Sequence, residues 1–326
     1  MVSRIQSCRC WYIVCAIIAS CLIILNFGRI PRSTDQKNDF IPLHRRLLND
    51  LPKGDNVLPE LSRSEVCDKW RFLTEPVKLC HSVQLSQGKL FKAYYKVTTN
   101  CSSSLKKKLN MEMIRNMDDW KGFISYVSDA ETRTDCIGIT LGIGNDIMAE
   151  QKLLKRVPNC RLYGADPQDK VGQVFTKIGT YDNVAVGHKN GVINASVLVG
   201  SAVNYKFKEV KVMSLLDFLQ KHNLVDKVID FLFLDAEGAE FELLPYMSHG
   251  GPLDKAGVTI CQISMELHCG LKKYGITDNQ YDIYFSQFIL SSDYLPLWTT
   301  KACHNRYFFI NYRSPACVQR FYSFLC

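Results

Sequence analysis

Two carboxylates and one histidine come just after apolar runs that have the length of buried strands. Asp235 and Glu237 follow the run Phe-Leu-Phe-Leu, and His268 comes two residues after the run 258–266. Open α/β sheets bind ligands at the carboxyl ends of their strands, so these three side chains are expected to share one site. A carboxylate or an imidazole can remove the proton of a bound hydroxyl group. The sequence therefore predicts Asp235, Glu237 and His268 as catalytic residues, with the two acids near the reacting groups and the histidine as a candidate base.

A second group of residues has the spacing of a nucleotide site. The segment 142–146 (GIGND) joins a predicted strand to a predicted helix, and Asp166 ends the next predicted strand about 22 residues beyond Gly144. Glycines let the backbone approach a ligand, a helix start offers free N–H groups, and an acid at this distance can bind a ribose diol. Gly142, Gly144, Asp146 and Asp166 are therefore the predicted binding residues for a cofactor that contains adenosine.

Strands and helices alternate along the second half of the chain. The apolar runs that read as strands are Cys136–Ile143, Arg161–Asp166, Asn183–Gly187, Phe231–Asp235 and Val258–Glu266, and the helical segments are Ile147–Val157, Lys170–Ile178, Ser214–Leu224, Ala239–Met247 and Tyr281–Leu290. This order predicts an α/β, Rossmann-like fold with a mostly parallel sheet. The runs Leu295–Thr300 and Arg306–Tyr312 predict a C-terminal antiparallel hairpin. Such a sheet closed by a hairpin is typical of S-adenosylmethionine-dependent methyltransferases.

The segment IDFLFLDAEGAEFELL closely resembles the signature of FkbM-type methyltransferases, a strand followed by Asp-x-Glu-Gly-x-Glu. YDNVAVGHKNGVI, VKVMSLLDFL and ISMELH resemble the family's third strand, the helix before the signature and the fifth strand, in the same order. The resemblance covers roughly residues 135–312. It implies a Rossmann-like domain that transfers a methyl group from S-adenosylmethionine, usually to an oxygen. The acceptor expected here is a hydroxyl on a glycan or a small metabolite.

One position departs from the family pattern. The family commonly has an acid two residues before the first glycine of the cofactor loop, and this sequence has Thr140 there. Asp146 could compensate from the helix start. Loss of the cofactor would instead leave a non-catalytic binding protein with a methyltransferase-like fold.

Two further classes of enzyme are considered. A luminal glycosyltransferase could use the acids of Asp235-Ala236-Glu237 to bind a metal ion and a sugar nucleotide, although a metal pair does not require the glycine loop or Asp166. A nicotinamide dehydrogenase is disfavoured because Ile147 stands where the third glycine of its fingerprint belongs. The net charge of +8 is spread along the chain, so no nucleic-acid partner is predicted.

The cysteines and histidines predict disulfides rather than a metal site. No Cys-x-x-Cys pair occurs and the short spacings of structural zinc sites are absent, so no metal is predicted. Ten cysteines lie beyond residue 29, an even number that suits an oxidising compartment. Cys136, Cys160 and Cys261 lie in or beside apolar runs and are expected to be buried thiols. Disulfides are expected in the C-terminal group, which comprises Cys269, Cys303, Cys317 and Cys326.

The N-terminal region predicts a membrane anchor. Residues 10–28 form an uncharged run of 19 residues between Arg9 and Arg29, enough for a helix to cross a bilayer. A cleaved signal peptide is the alternative, but the run is longer than usual and has a poor cleavage site. The predicted order is a short cytosolic tail at 1–9, a signal-anchor at 10–28, a stem at 29–65, a helical extension at 66–134 and the FkbM-type domain at 135–326. Glycosylation sequons at Asn100 and Asn194 fit a single-pass type II membrane protein of the endoplasmic reticulum or Golgi with a luminal body.

Overall fold

The structure is a computed structural model, and its described residues belong to one compact unit, Leu61–Cys326. They comprise residues 66–86, 94–117, 119–198, 205–268, 277–301 and 304–326. The predicted tail, anchor and stem lie outside these ranges. Within them, no helix combines the length and the apolar character needed to cross a membrane.

The chain alternates strands and helices through most of this unit. The strands are β1 Glu112–Arg115, β2 Trp120–Phe123, β3 Ile137–Leu141, β4 Arg161–Ala165, β5 Thr180–Asp182, β6 Ala185–Gly187, β7 Gly191–Leu198, β8 Tyr205–Ser214, β9 Val228–Leu234, β10 Thr259–Leu267, β11 Tyr294–Thr299 and β12 Asn305–Asn311. The helices are α1 Asp68–Ser86, α2 Tyr94–Lys108, α3 Met148–Arg156, α4 Asp169–Gly172, α5 Leu215–Lys221, α6 Glu240–Tyr246, α7 Pro252–Lys255, α8 Asp278–Ser291 and α9 Pro315–Cys317. Short 3₁₀ turns follow α4 at Gln173–Lys177 and end the chain at Ser323–Leu325, and a π-helical turn at Val318–Tyr322 follows α9.

Seven strands form the central sheet in the order β11-β12-β10-β9-β3-β4-β5. The strands from β10 to β5 are parallel to one another, whereas β12 is antiparallel to both β10 and β11. The mostly parallel sheet and the C-terminal antiparallel hairpin predicted from the sequence are therefore confirmed. Because the parallel strands end at one edge, the segments after β3, β4 and β9 meet there.

The strand β9 shows why this region reads as a continuous apolar run. Leu232 and Leu234 belong to one buried apolar cluster, and Phe231 and Phe233 belong to a second. Successive side chains of a strand point to opposite faces of the sheet. Both faces are buried here, so apolar residues occupy every position of the run 231–234.

The helical extension predicted at 66–134 is wrong over residues 112–123, which form two strands. The helix α2 ends at Lys108, and β1 and β2 then form an antiparallel ribbon. Asn110 has a left-handed backbone with φ of 48°, which stops the helix. The ribbon then docks on β10, where the Gln262 side chain hydrogen-bonds both the N–H and the carbonyl of Ile124 at 2.9 Å. Apolar spacing near 3.6 residues matched a helix by coincidence.

A second antiparallel ribbon was not predicted. The strands β7 and β8 pair along their length, and β6 pairs with β8 to make a separate three-stranded sheet. The segment VKVMS at 210–214, which was assigned to the helix before the signature, is the end of β8, and α5 begins only at Leu215. Ser214 caps that helix by accepting a hydrogen bond from the Asp217 N–H at 3.1 Å.

The helices α1 and α2 are joined to the sheet by a buried polar chain. The His81 Nδ1 lies 2.7 Å from the Tyr94 hydroxyl, and its Nε2 lies 3.0 Å from the Ser102 Oγ. Ser102 donates its own proton to the Pro296 carbonyl at 2.5 Å. Ser102 therefore accepts from the His81 Nε2–H, and His81 Nδ1 accepts from Tyr94. The imidazole is neutral, and burial together with nearby Lys78 lowers its pKa to about 3.

Four disulfides staple the described part of the chain: Cys67–Cys326, Cys80–Cys101, Cys136–Cys160 and Cys261–Cys317. The expectation that Cys136, Cys160 and Cys261 are thiols is wrong. Cys136 and Cys160 precede the paired strands β3 and β4, which brings their Cα atoms to 4.5 Å. Cys317 and Cys326 are bonded as expected, but to partners outside the C-terminal group. Cys269 and Cys303 lie outside the described residues.

Candidate active site

One cavity of about 290 Å³ lies at the edge of the sheet where β3, β4 and β9 end. The ribbon of β7 and β8 contributes part of the cavity lining. The cavity is also lined by Gly142, Gly144, Asp146 and Asp166 from the predicted cofactor site and by Asp235 and Glu237 from the predicted catalytic site. The fold thus brings six of the seven predicted site residues to one cavity. The seventh, His268, lies behind Asp235 and Glu237 and is 2% exposed.

The glycine loop is shaped by backbone contacts on both sides. The Gly142 N–H donates to the Ala165 carbonyl at 2.9 Å, and the Asp235 N–H donates to the Leu141 carbonyl at 2.8 Å. Gly142 has a φ of +83°, and a Cβ placed there would lie 1.7 Å from the Asp235 carbonyl oxygen. Gly144 also has a positive φ, +61°, but a Cβ there would meet nothing within 4 Å. The loop is therefore tightly packed at Gly142 and open at Gly144.

Asp166 holds this loop in place from the end of β4. Its Oδ2 accepts hydrogen bonds from the N–H groups of Ile143 at 2.9 Å and Gly144 at 3.2 Å, and its Oδ1 accepts from the Gln168 N–H at 2.8 Å. Burial raises the pKa of Asp166, against the effect of these hydrogen bonds. The predicted ribose-binding acid thus also fixes the conformation of the glycine loop.

The position of Thr140 is coupled to an acid that the sequence did not indicate. The Thr140 hydroxyl donates to Oε1 of Glu150 on α3 at 2.8 Å. Glu150 is 1% exposed and lines the cavity, and its Oε2 has no hydrogen-bond partner among the described residues. Burial raises its pKa, while the positive charge of buried Lys121 opposes that rise. A carboxylate is therefore present beside position 140, supplied from ten residues further along the chain.

Asp146 uses both carboxylate oxygens on backbone groups. Its Oδ1 accepts from the Met148 N–H at 2.9 Å at the start of α3, and its Oδ2 accepts from the Met117 N–H at 2.7 Å. It therefore ties α3 to the loop between β1 and β2 while it lines the cavity. Glu150, rather than Asp146, is the acid that adjoins Thr140.

Four carboxylates surround the imidazole of His268 at the ends of β9 and β10. The His268 Nδ1 lies 3.0 Å from Oε1 of Glu240. Its Nε2 lies 3.5 Å from Asp235 Oδ1, 3.6 Å from Glu237 Oε2 and 3.9 Å from Glu266 Oε1. Burial alone would lower the pKa of His268, but Glu240, Glu237 and Asp235 raise it to about 11. Burial and the charge of Glu266 raise the pKa of Asp235 to about 7.

Glu240 organises the turn between β9 and α6. Glu240 lies in the first turn of α6, where an acid is usually solvent-exposed, but it is fully buried. Its Oε1 accepts from the Ala236 N–H at 2.6 Å, and its Oε2 accepts from the Gly238 N–H at 2.7 Å. Between them, Glu237 adopts a left-handed backbone with φ of 51°, a rare state for this residue type. Glu242, two residues further on, is exposed and pairs with His188 at 2.8 Å.

Two groups in this region carried no sequence signal of their own. His304, on the chain leading into β12, lies 2.8 Å from Glu266 Oε1 through its Nδ1, and its ring centroid is 4.7 Å from that of His268. Arg306 Nη2 lies 2.7 Å from Glu266 Oε2. The sequence predicted no metal, whereas the described residues contain two sets with metal-ligand geometry: Asp235, Glu237 and His268, and Glu266, His268 and His304. Sequence spacing missed them because the ligands come from three separate strand ends.

These features define an α/β protein with a glycine-rich loop and a carboxylate cluster at one cavity. The family model described as "Methyltransferase FkbM domain" matches residues 110–292, which is more than half of the chain. The protein therefore belongs to the FkbM methyltransferase family. The match begins upstream of β1, so the ribbon of β1 and β2 is part of the matched region.

Solved methyltransferase structures show only a distant likeness. The plantazolicin methyltransferase BpumL in complex with a pentazolic desmethylPZN analog and SAH is 11% identical, with 69% of this chain and 72% of that chain covered and a TM-score of 0.23. BpumL in complex with SAH alone is 10% identical, with 70% of each chain covered and a TM-score of 0.22. No curated protein sequence matches this chain.

Proposed function

We propose that this protein transfers a methyl group from S-adenosylmethionine to a hydroxyl oxygen of a glycan or small metabolite. The observation that carries the proposal is one shared cavity, which Gly144 and Asp166 line together with Asp235 and Glu237. Donor and acceptor must be aligned within reach of one another for such a transfer, and one shared cavity satisfies that requirement.

The residues present fit S-adenosylmethionine. The open side of Gly144 leaves room for a ligand against the backbone. Asp166 follows directly after β4, and an acid at that position of a nucleotide site can bind a ribose diol. The unpartnered Oε2 of buried Glu150 suits a cationic group such as the amino group of the donor. This carboxylate supports cofactor use despite Thr140, and it weighs against the non-catalytic alternative.

The acceptor hydroxyl is placed on the side of Asp235 and Glu237. The bound donor supplies an electrophilic methyl group, so the protein must position the hydroxyl and take up its proton. Asp235 and Glu237 line the cavity with side chains that are 35% and 25% exposed, whereas the His268 side chain is 3% exposed. The two acids therefore contact the acceptor, and His268 positions them from behind. This assignment gives the acids the proton-accepting role and moves His268 to a positioning role.

The secretory pathway is the proposed location. Four disulfides in the described residues support an oxidising compartment. The uncharged run at 10–28 and the proline-containing stretch at 29–65 support a signal-anchor and a stem, with the body luminal. Asn100 and Asn194 are exposed, as N-glycosylation requires.

The direct test is a transfer assay with the full chain, methyl-labelled S-adenosylmethionine and an acceptor panel of monosaccharides, glycans and luminal extract. Formation of S-adenosylhomocysteine is followed alongside the label. We expect label in a base-stable methyl ether, and a rate at least about 100-fold lower for Asp235→Asn with donor binding retained. An exposed-acid variant, Asp169→Asn, serves as the matched control and should keep the full rate.

Other outcomes distinguish the competing classes. Donor binding without transfer to any acceptor would favour the non-catalytic binding protein. Absence of donor binding, together with manganese-dependent binding of a sugar nucleotide, would favour the glycosyltransferase.

A further inference from the structure

The cluster around His268 has the spacing of a metal-binding site. The distances of 3.5, 3.6 and 3.9 Å from its Nε2 to the carboxylates of Asp235, Glu237 and Glu266 exceed ordinary hydrogen-bond lengths. Two ligand atoms that share one cation, each about 2.1 Å from it, lie about 3–3.5 Å apart in octahedral or tetrahedral geometry. The observed separations are close to that value, so a single ion fits between these groups after a small contraction.

The second nitrogen of the ring is held as in known metal sites. Metal-binding histidines generally donate their other ring N–H to a carboxylate, which fixes the ring orientation. Here the His268 Nδ1 bonds to buried Glu240 at 3.0 Å, and Glu240 is itself fixed by two backbone N–H groups. The Nε2 is thereby directed at the three carboxylates.

A second imidazole is within reach of the same point. His304 contacts Glu266 Oε1, and the candidate ligand atoms of Glu266, His268 and His304 all lie within 4.8 Å of one another. Asp235, Glu237 and His268 satisfy the same criterion. His268 is common to both sets, which therefore adjoin at its imidazole.

We propose that Asp235, Glu237, Glu266, His268 and His304 bind one divalent transition-metal ion, Mn²⁺ or Zn²⁺. Carboxylates favour Mn²⁺ and imidazoles favour Zn²⁺, and the mixed set accommodates either ion better than Mg²⁺. The ion takes the place of a proton on His268 Nε2.

The site deepens the proposed function and in that respect rests on it. Asp235 and Glu237 face the cavity that is assigned to the acceptor, so an ion between them lies at the acceptor side. A cation there polarises the O–H bond of a hydroxyl ligand and lowers its pKa. The chemical class of acceptor that fits is a hydroxyl with a neighbouring oxygen, such as a sugar diol, because two oxygens can then bind the ion.

Calorimetric titration of the full metal-free chain with MnCl₂ and with ZnCl₂ tests the site, with MgCl₂ for comparison. We expect one bound ion per chain, binding at least about tenfold weaker in His304→Ala and lost in Asp235→Asn. The His304 side chain is 43% exposed, so its removal should leave the fold intact. His249→Ala is the matched control, because this histidine also lies beside two acids, Asp254 and Asp293, but outside the cluster.

The outcomes separate the metal site from the methyltransferase proposal. Each variant is also titrated with S-adenosylhomocysteine, which reports an intact donor site. Donor binding without ion binding in the parent chain would overturn the metal site, as would equal weakening by His249→Ala and His304→Ala. Ion binding lost in Asp235→Asn but no donor binding in the parent chain would support the metal site and contradict the proposed function.

Discussion

The two sides of the cavity differ in the kind of group that carries their chemistry. The loop side is formed by Gly142, Gly144 and Asp166. Its shape depends on the left-handed backbone of the two glycines and on hydrogen bonds from backbone N–H groups to the Asp166 carboxylate. The carboxylate side, formed by Asp235, Glu237, Glu240, Glu266 and His268, is built from charged side chains packed within about 4 Å of one imidazole.

This difference separates the needs of binding from those of reaction. The loop side buries one acid, Asp166, and three backbone N–H groups stabilise its charge. Crowded acids carry a large desolvation cost, and such clusters are kept where a reaction or an ion requires them. The carboxylate side therefore carries the larger desolvation cost, and it is the side most closely linked to the proposed reaction.

The largest expected effect is at Glu240, which holds the carboxylate side together. Glu240→Ala removes the acceptor of two backbone N–H groups and the partner of His268, and should lower the free energy of unfolding by about 3–5 kcal/mol. Glu242→Ala, two residues away and exposed, should change it by less than about 0.5 kcal/mol. Urea unfolding of both variants measures the difference. Equal losses would contradict the assignment of Glu240 as the organiser of the turn.

The stability that depends on His81 should change with pH, because this imidazole is buried beside hydroxyl groups, whereas His268 is surrounded by acids. The His81 ring contacts the hydroxyls of Tyr94 and Ser102, and the positive charge of Lys78 further lowers its pKa. Its pKa is about 3 when folded and about 6.5 when unfolded, so the unfolded chain gains the proton first as the pH falls. Stability is lost below pH 6.5, by about 1.4 kcal/mol per pH unit down to pH 3.

The measurement is the unfolding free energy of the parent chain and of His81→Gln at pH 6.5 and at pH 4.5. Over this interval the parent should lose about 2 kcal/mol more than the variant, because glutamine does not titrate. Comparing the two chains cancels the contribution of all other titratable groups to the pH dependence of stability. Parallel pH dependences would show that His81 is not held neutral.

On the loop side, the two glycines should differ from each other. Gly142→Ala combines a left-handed backbone with a clash against the Asp235 carbonyl, and is expected to cost about 3 kcal/mol. Gly144→Ala has only the backbone penalty, about 1 kcal/mol, but its methyl group would project into the open side of the loop. Thermal and urea unfolding measure both costs. A larger loss at Gly144 than at Gly142 would refute the described packing of the loop.

The smallest expected effect concerns Glu150, a buried acid beside the loop whose Oε2 has no hydrogen-bond partner within the described ranges. Glu150→Gln keeps the size of the side chain but removes its charge, and should weaken binding of S-adenosylhomocysteine about tenfold. Thr140→Ser keeps the hydroxyl that donates to Glu150 and should leave the affinity unchanged. Calorimetry gives both values. Unchanged affinity in Glu150→Gln would show that the acid has no part in donor binding.

The sequence predicted the sheet, its hairpin and six cavity residues, because strands with both faces covered are continuous apolar runs and their ends carry the site. It did not predict Glu150, which reaches Thr140 from the first turn of α3, or His304, which reaches the site only through the pairing of β12 with β10. It also misplaced the ribbon at 112–123, where apolar spacing suited a helix until Asn110 ended it. The burial of Glu240 was missed because an acid in a first helical turn is most often solvated.

Calorimetric titration of the full chain with S-adenosylmethionine tests the central claim most directly, with Asp166→Ala and the exposed neighbour variant Asp169→Ala beside it. The account predicts saturable binding of one molecule per chain, at least about tenfold weaker in Asp166→Ala and unchanged in Asp169→Ala. No binding by the correctly folded parent chain, or equal binding by all three chains, would contradict the assignment of this cavity as a methyl-donor site.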